Sequence, residues 1–112
     1  MTGTTHIAVE CRTNVAKQSI KKDFLSKFTE FLQERFKTEP KNIQVDVQPD
    51  VLMMRSGSSA PMMNMNFYHN TDKINQSSKT ADASSVAKFM ADHLGLPCDR
   101  VLVLFFDTRK CT

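Results

Sequence analysis

The chain has no tryptophan and only one tyrosine, Tyr68. Single-stranded nucleic acid is usually held by aromatic platforms set in a basic groove. With no such array, and with Lys21, Lys22 and Lys27 interleaved with acids, the net charge of +3 reads as a solvated surface. No nucleic-acid partner is expected. No stretch reaches the roughly 18 apolar residues of a membrane span, so no membrane insertion is expected. The opening Met-Thr-Gly-Thr-Thr-His lacks the apolar centre of a signal peptide, which places the protein in the cytoplasm. The three cysteines, Cys11, Cys98 and Cys111, are an odd number at wide spacing. They give neither a Cys-x-x-Cys pair nor a metal-ligand pattern, and free reduced thiols are the default. No metal and no cofactor is expected.

What is present is hydrophobic period. Ile7, Val9 and Cys11 alternate in a first strand over about 6–12. Ile20, Phe24, Leu25, Phe28, Phe31, Leu32 and Phe36 recur at helical spacing over about 19–37, with Ser19 as the expected N-cap and Pro40 beyond the end. Ile43, Val45 and Val47 alternate with Gln44, Asp46 and Gln48 in a second strand. Pro49-Asp50 breaks that ladder, because proline has no N–H to give. A short apolar run, Val51 to Met54, leads into the turn chemistry of Ser-Gly-Ser-Ser-Ala-Pro, where Gly57 is free to take positive φ. Met63, Met65 and Phe67 alternate in a third strand over 62–69, and residues 70–78 read as a polar loop. Ala83, Val86, Ala87, Phe89, Met90 and Leu94 mark a second helix over about 80–94, stopped at Gly95. Val-Leu-Val-Leu-Phe-Phe, residues 101–106, is apolar throughout. It reads as a strand buried on both faces or covered by a second subunit.

The order is strand, helix, strand, twice over. The joints match as well: Pro40-Lys-Asn precedes one strand and Pro97-Cys-Asp-Arg the other. Strands joined through a helix in one sheet run parallel. The expected fold is therefore α+β: two β-α-β units forming one four-stranded mixed sheet with both helices on one face. The chain reads as one domain, 1–112, with residues 1–5 a loose tail, 6–50 the first unit and 51–107 the second. Its 112 residues leave nothing to cover the other sheet face, so self-association is the economical answer.

Thr13-Asn14-Val15, Phe24-Leu25, Pro40, Ile43-x-Val45-x-Val47, Pro49-Asp50-x-Leu52-Met53, Ser56-Gly57-Ser58-Ser59-x-Pro61 and Pro97-x-Asp99-Arg100-Val101 resemble, in that order, the macrophage migration inhibitory factor and D-dopachrome tautomerase family. The resemblance covers about 7–107, with about one inserted residue near the second helix. It implies a homotrimer whose sheets line a central barrel. It also implies keto–enol tautomerisation of small aromatic keto acids by an N-terminal proline, whose burial in an apolar pocket favours the neutral amine. For some members it implies a cytokine-like role on a protein receptor, reached without a signal peptide.

The sequence departs from that pattern where the chemistry lies. The proline position falls on Ile7, inside the chain, and no proline precedes Pro40. The carboxylate-binding lysine position falls on Thr38, with Lys37 adjacent; an aliphatic pocket position falls on Asn70; pocket positions of the last strand fall on Leu102 and Leu104. The family's Cys-x-x-Cys is Met62-Met63-Asn64-Met65. Family members also continue past the position of Thr112. The expected function is a non-catalytic, protein-binding member of the family. The alternative is a tautomerase with a substitute base: His6, whose imidazole type has an ordinary pKa of about 6.5, or a folded-back Thr2 amine. A thiol function at Cys11 or Cys98 is the third reading. His69 and His93 are expected to be solvated, and Met62, Met63 and Met65 to be core.

Overall fold

The structure is a computed structural model and describes residues 4–110. β1 (Ile7–Thr13), β2 (Ile43–Gln48), β3 (Met63–His69) and β4 (Val101–Asp107) form one sheet in the order β2-β1-β3-β4. β1 is parallel to β2, β3 is parallel to β4, and β1 runs antiparallel to β3. α1 (Phe24–Phe36) and α2 (Lys79–Leu94) are the two crossovers. The mixed sheet with its two helices on one face is thus as the sequence predicts.

Period two explains which face the helices cover. Ile7, Val9, Cys11, Met63, Met65 and Phe67 are buried and share one core with Phe24, Phe28, Leu32 and Phe36 of α1 and Val86, Phe89 and Met90 of α2. Phe89 of α2 stacks on Phe28 of α1 at 5.1 Å, and Phe36 meets Phe67 edge-on at 5.3 Å. Met62 is buried as well. The opposite residues of each strand face away from the helices. Across that bare face the register sets up rows: Gln44, Ala8, Tyr68, Phe106; then Asp46, Glu10, Asn66, Leu104; then Gln48, Arg12, Asn64, Leu102.

Several expectations are corrected. The first helix begins at Phe24, not Ser19: Lys17–Ser19 is a 3-10 turn, and Ile20 is extended at φ −93°, ψ 122°, which breaks a helical run. Asp23 stands at the N-cap position, without a side-chain capping bond. The helix ends at Phe36 because Lys37 turns left-handed at φ 54°. The polar loop after β3 contains a buried anchor, Ile74. β4 is covered by the chain on one face only, leaving Leu102, Leu104 and Phe106 each more than two-fifths exposed. The apolar run Val51–Met54 is not drawn into the core: Leu52 is fully exposed and Met54 largely so. Gly57 takes φ 72° beside Ser56 at φ 53°, and Arg55 and Ser58 exchange backbone bonds around them. Two successive positive φ values are what a tight reversal of this type requires. Gly95 ends α2 at φ 70°.

Candidate functional site

β1 lies inside the sheet, between β2 and β3, and its start is where the resemblance places the family's catalytic group. Ile7 is the first residue of β1. Its side chain is buried on the helix side, and it pairs with Ile43 and His69. It carries a peptide nitrogen inside the chain, not a free amine. The ends of α1 and β3 lie at the same place: β3 runs antiparallel to β1 and ends opposite Ile7, and the chain leaving α1 re-enters the sheet at Ile43, also paired with Ile7. α1 delivers Lys37 and Thr38; β3 delivers His69 and then Asn70.

The polar groups of Thr38 and Asn70 are engaged by main-chain atoms. They hold the segment that precedes β1. The Asn70 amide accepts from the His6 N–H at 2.7 Å through Oδ1 and donates to the Thr4 carbonyl at 2.9 Å through Nδ2. The Thr38 hydroxyl donates to the Thr5 carbonyl at 2.7 Å. Asn42 Nδ2 donates to that same hydroxyl at 3.4 Å. Of the tail expected to be loose, Thr4 and Thr5 are therefore held; residues 1–3 lie outside the described residues. A cleft of about 660 Å³ opens beside this strap, with Lys37, Thr38, Asn70 and Lys73 among its walls.

Sequence reasoning missed Lys73 and Arg109. The Lys73 ammonium donates to the Phe36 carbonyl at 2.8 Å, at the end of α1 where the helix dipole favours a cation. Arg109 bridges Asp107 at 2.7 Å and Asp72 at 2.8 Å. Those bonds from Arg109 hold the Asp107 carboxyl well below the usual carboxylate range. Asp107 is only two residues from Arg109, but the Lys73–Phe36 and Arg109–Asp72 contacts join residues 37 positions apart, and no local spacing announces those.

Of the other candidates, the His6 side chain is exposed, and its ring has no hydrogen bond among the described residues. His69 is not solvated: it is 3 % exposed, on the core face, with Nδ1 accepting from the Thr71 N–H at 3.3 Å. Burial lowers its pKa, against the pull of Asp107 beside it on β4. His93 is exposed and lies on Phe89 at 4.1 Å. Leu102 and Leu104 sit on the bare face, in rows with Arg12 and Glu10, and are not brought to Ile7 within one protomer. Cys11 is core, and burial, helped by Asp46, pushes its thiol up to about 12. A thiol so protonated is a poor nucleophile. Cys98 is exposed, and Cys111 lies outside the described residues. No group of three potential metal ligands occurs among the described residues, and none of their helices is long and apolar enough to cross a membrane.

Comparison with known proteins agrees with this architecture. Residues 7–112 match the family model for macrophage migration inhibitory factor (MIF). The macrophage migration inhibitory factors of Meriones unguiculatus and Rattus norvegicus are each 30 % identical over 95 residues, covering 85 % of this chain and 82 % of theirs. Among solved structures, the factor from Oncomelania hupensis superposes with a TM-score of 0.81 at 21 % identity, over 88 % of this chain and 71 % of that one. The factor from Trichinella spiralis gives 0.82 at 18 % identity, over 88 % and 86 %. At such identities the structures speak for the fold, while the family match speaks for descent. The family match begins at Ile7, the first residue of β1, and spans the rest of the sequence: the chain belongs to the macrophage migration inhibitory factor family.

Proposed function

We propose that this MIF-family protein is a non-catalytic member that acts by binding another protein. The observation that carries this is the position of Ile7. A base at the start of β1 needs a free amine with a lone pair, and an amide nitrogen within the chain has none to offer. Two further features support the reading. The place where a cation would hold a substrate's carboxylate has the Thr38 hydroxyl, already donated to the strap. Asn70 puts a polar amide where an apolar wall would keep a base neutral, and it too is engaged.

A homotrimer is part of the proposal. Leu102, Leu104 and Phe106 lie along one margin of the bare face, and Leu52 and Met54 stand out from the body. Apolar surface so arranged gains from being covered by further copies. Light scattering on the purified protein checks this; a monomer at working concentration would count against it. Action outside the cell, on a protein receptor, is proposed on the family's example.

The deciding experiment is an enol–keto assay with phenylpyruvate on protein of known oligomeric state. No rate above the buffer blank is expected. A clear rate would overturn the proposal, and His6→Ala would then show whether that imidazole is the substitute base.

A further inference from the structure

The bonds at the start of β1 have a pattern of their own. In an extended chain, the carbonyl of residue i and the N–H of residue i+2 point to the same side, and the carbonyl between them points to the other. The Asn70 amide meets the first side, taking the His6 N–H at 2.7 Å and giving to the Thr4 carbonyl at 2.9 Å. The Thr38 hydroxyl meets the second, giving to the Thr5 carbonyl at 2.7 Å. A side-chain amide carries a donor and an acceptor in one plane, so Asn70 does the work of a neighbouring strand's peptide group. All three contacts are to main-chain atoms. The clamp therefore recognises an extended peptide whatever its side chains, with one exclusion. Proline at the place of His6 lacks the hydrogen that Asn70 accepts.

We infer that Asn70 and Thr38 form a binding site for an extended peptide main chain, and that Thr4–His6 of the same chain is its resident ligand. The ligand class is a short unfolded peptide, added as one strand is added to a sheet. A tethered segment acts at an effective concentration on the order of millimolar, so a free peptide competes only once the strap is weakened. The inference rests on the geometry of the strap alone. It survives a positive tautomerase assay and is not confirmed by a negative one.

The test uses the full chain and amide exchange followed by NMR. The His6 amide is expected to exchange about tenfold slower in the native protein than in Asn70→Leu, the ratio one hydrogen bond of ordinary net strength provides. Asn70→Asp keeps the acceptor for the His6 N–H but sets a carboxylate oxygen against the Thr4 carbonyl, so it should keep only part of that protection, while amides inside β1 stay slow in all three proteins. Release is tested with His6→Pro. The probe is a capped peptide copying residues 2–7, at millimolar concentration. It should shift the Asn70 and Thr38 signals of His6→Pro and should leave those of His6→Pro combined with Asn70→Leu unmoved. An unprotected His6 amide in the native protein, equal rates in native and Asn70→Asp and Asn70→Leu proteins, or a peptide that moves no signal in His6→Pro would each overturn the inference. If Asn70→Leu fails to fold, the Asn70→Asp and His6→Pro measurements decide it.

Discussion

The two halves of the molecule repeat one plan and finish it differently. Each is a strand, a helix, a three-residue 3-10 turn and a second strand parallel to the first: Pro40–Asn42 leads into β2, and Cys98–Arg100 leads into β4. Both second strands are sheet edges. Toward the helices they match, with Ile43, Val45 and Val47 in one and Val101, Val103 and Phe105 in the other, all partly buried against the core. Outward they do not. β2 shows Gln44, Asp46 and Gln48 to solvent, and β4 shows Leu102, Leu104 and Phe106. The fold needs only the inward set. The outward set is free to serve association, and only the second half offers apolar side chains to the proposed trimer.

The largest effect lies in what the halves share. Phe67 is fully buried and touches both Phe36 of the first unit and Phe105 of the second. Phe67→Ala should cost about 3–5 kcal/mol, the lost transfer energy plus a cavity that the sheet cannot collapse. Denaturant titration measures it. A cost below about 1 kcal/mol would mean that the halves are not joined through this side chain.

A smaller effect separates the joints. The last residue of the 3-10 turn is Asn42 in one half and Arg100 in the other. Asn42 supports the Thr38 hydroxyl. Arg100 donates to the carbonyls of Ser58, Ala60 and Pro61 at 3.0–3.1 Å and so fastens the reversal around Gly57 to the start of β4. Arg100→Ala should cost roughly 1.5–3 kcal/mol, since the lost bonds come from a charged donor. Arg100→Lys should recover only part, because an ammonium is a point charge without the planar fork. Equal stability of the Lys and native proteins would show that charge alone suffices.

A third test uses the row Ile43, Ile7, His69, Asp107 on the core face. The first half fills its share with isoleucine and the second with a titratable pair. Burial lowers the His69 pKa below its ordinary 6.5; Asp107 pulls it up, while Arg109 and Lys79 push it down. The unfolded chain therefore binds a proton at His69 more readily than the folded one. Stability from the neutral ring is present above pH 6.5, is lost as pH falls from there toward the lowered folded value, and levels off below it. His69→Asn should flatten that limb in unfolding midpoints measured above and below pH 6.5. A limb that persists unchanged in the variant would assign the dependence to another group.

The strands were legible because alternation in β1, β2 and β3 and the unbroken apolar run of β4 are local signals, and each expected range agrees to within a residue at either end. The helix start was not, because Ser19 and Ile20 continue the pattern of a helix while the backbone at Ile20 is extended. His69 was legible but overlooked: it is in phase with Met63, Met65 and Phe67, which already placed it inward. Ile74 stood alone among polar neighbours, with no period to reveal it. The strap was beyond reach. Its bonds join residues 64 and 66 positions apart through Asn70 and 33 apart through Thr38, and small polar residues in a tail look alike whether free or held.

The smallest expected effect on the protomer sharpens the comparison of the halves most. Leu104 occupies on β4 the outward place that Asp46 occupies on β2, in the same row. Leu104→Asn would make the second half resemble the first. Leu104 is already 45 % exposed and makes no part of the core, so unfolding free energy at dilution, where copies are apart, should change by less than about 0.5 kcal/mol. Association should weaken, because a polar amide gains nothing from leaving water without a partner. Sedimentation of the variant against the native protein reads this directly. A shift toward smaller species at unchanged protomer stability places the asymmetry of the halves in assembly. A loss of protomer stability with assembly intact would place Leu104 in the fold after all, and the outward faces would then differ for a reason internal to each chain.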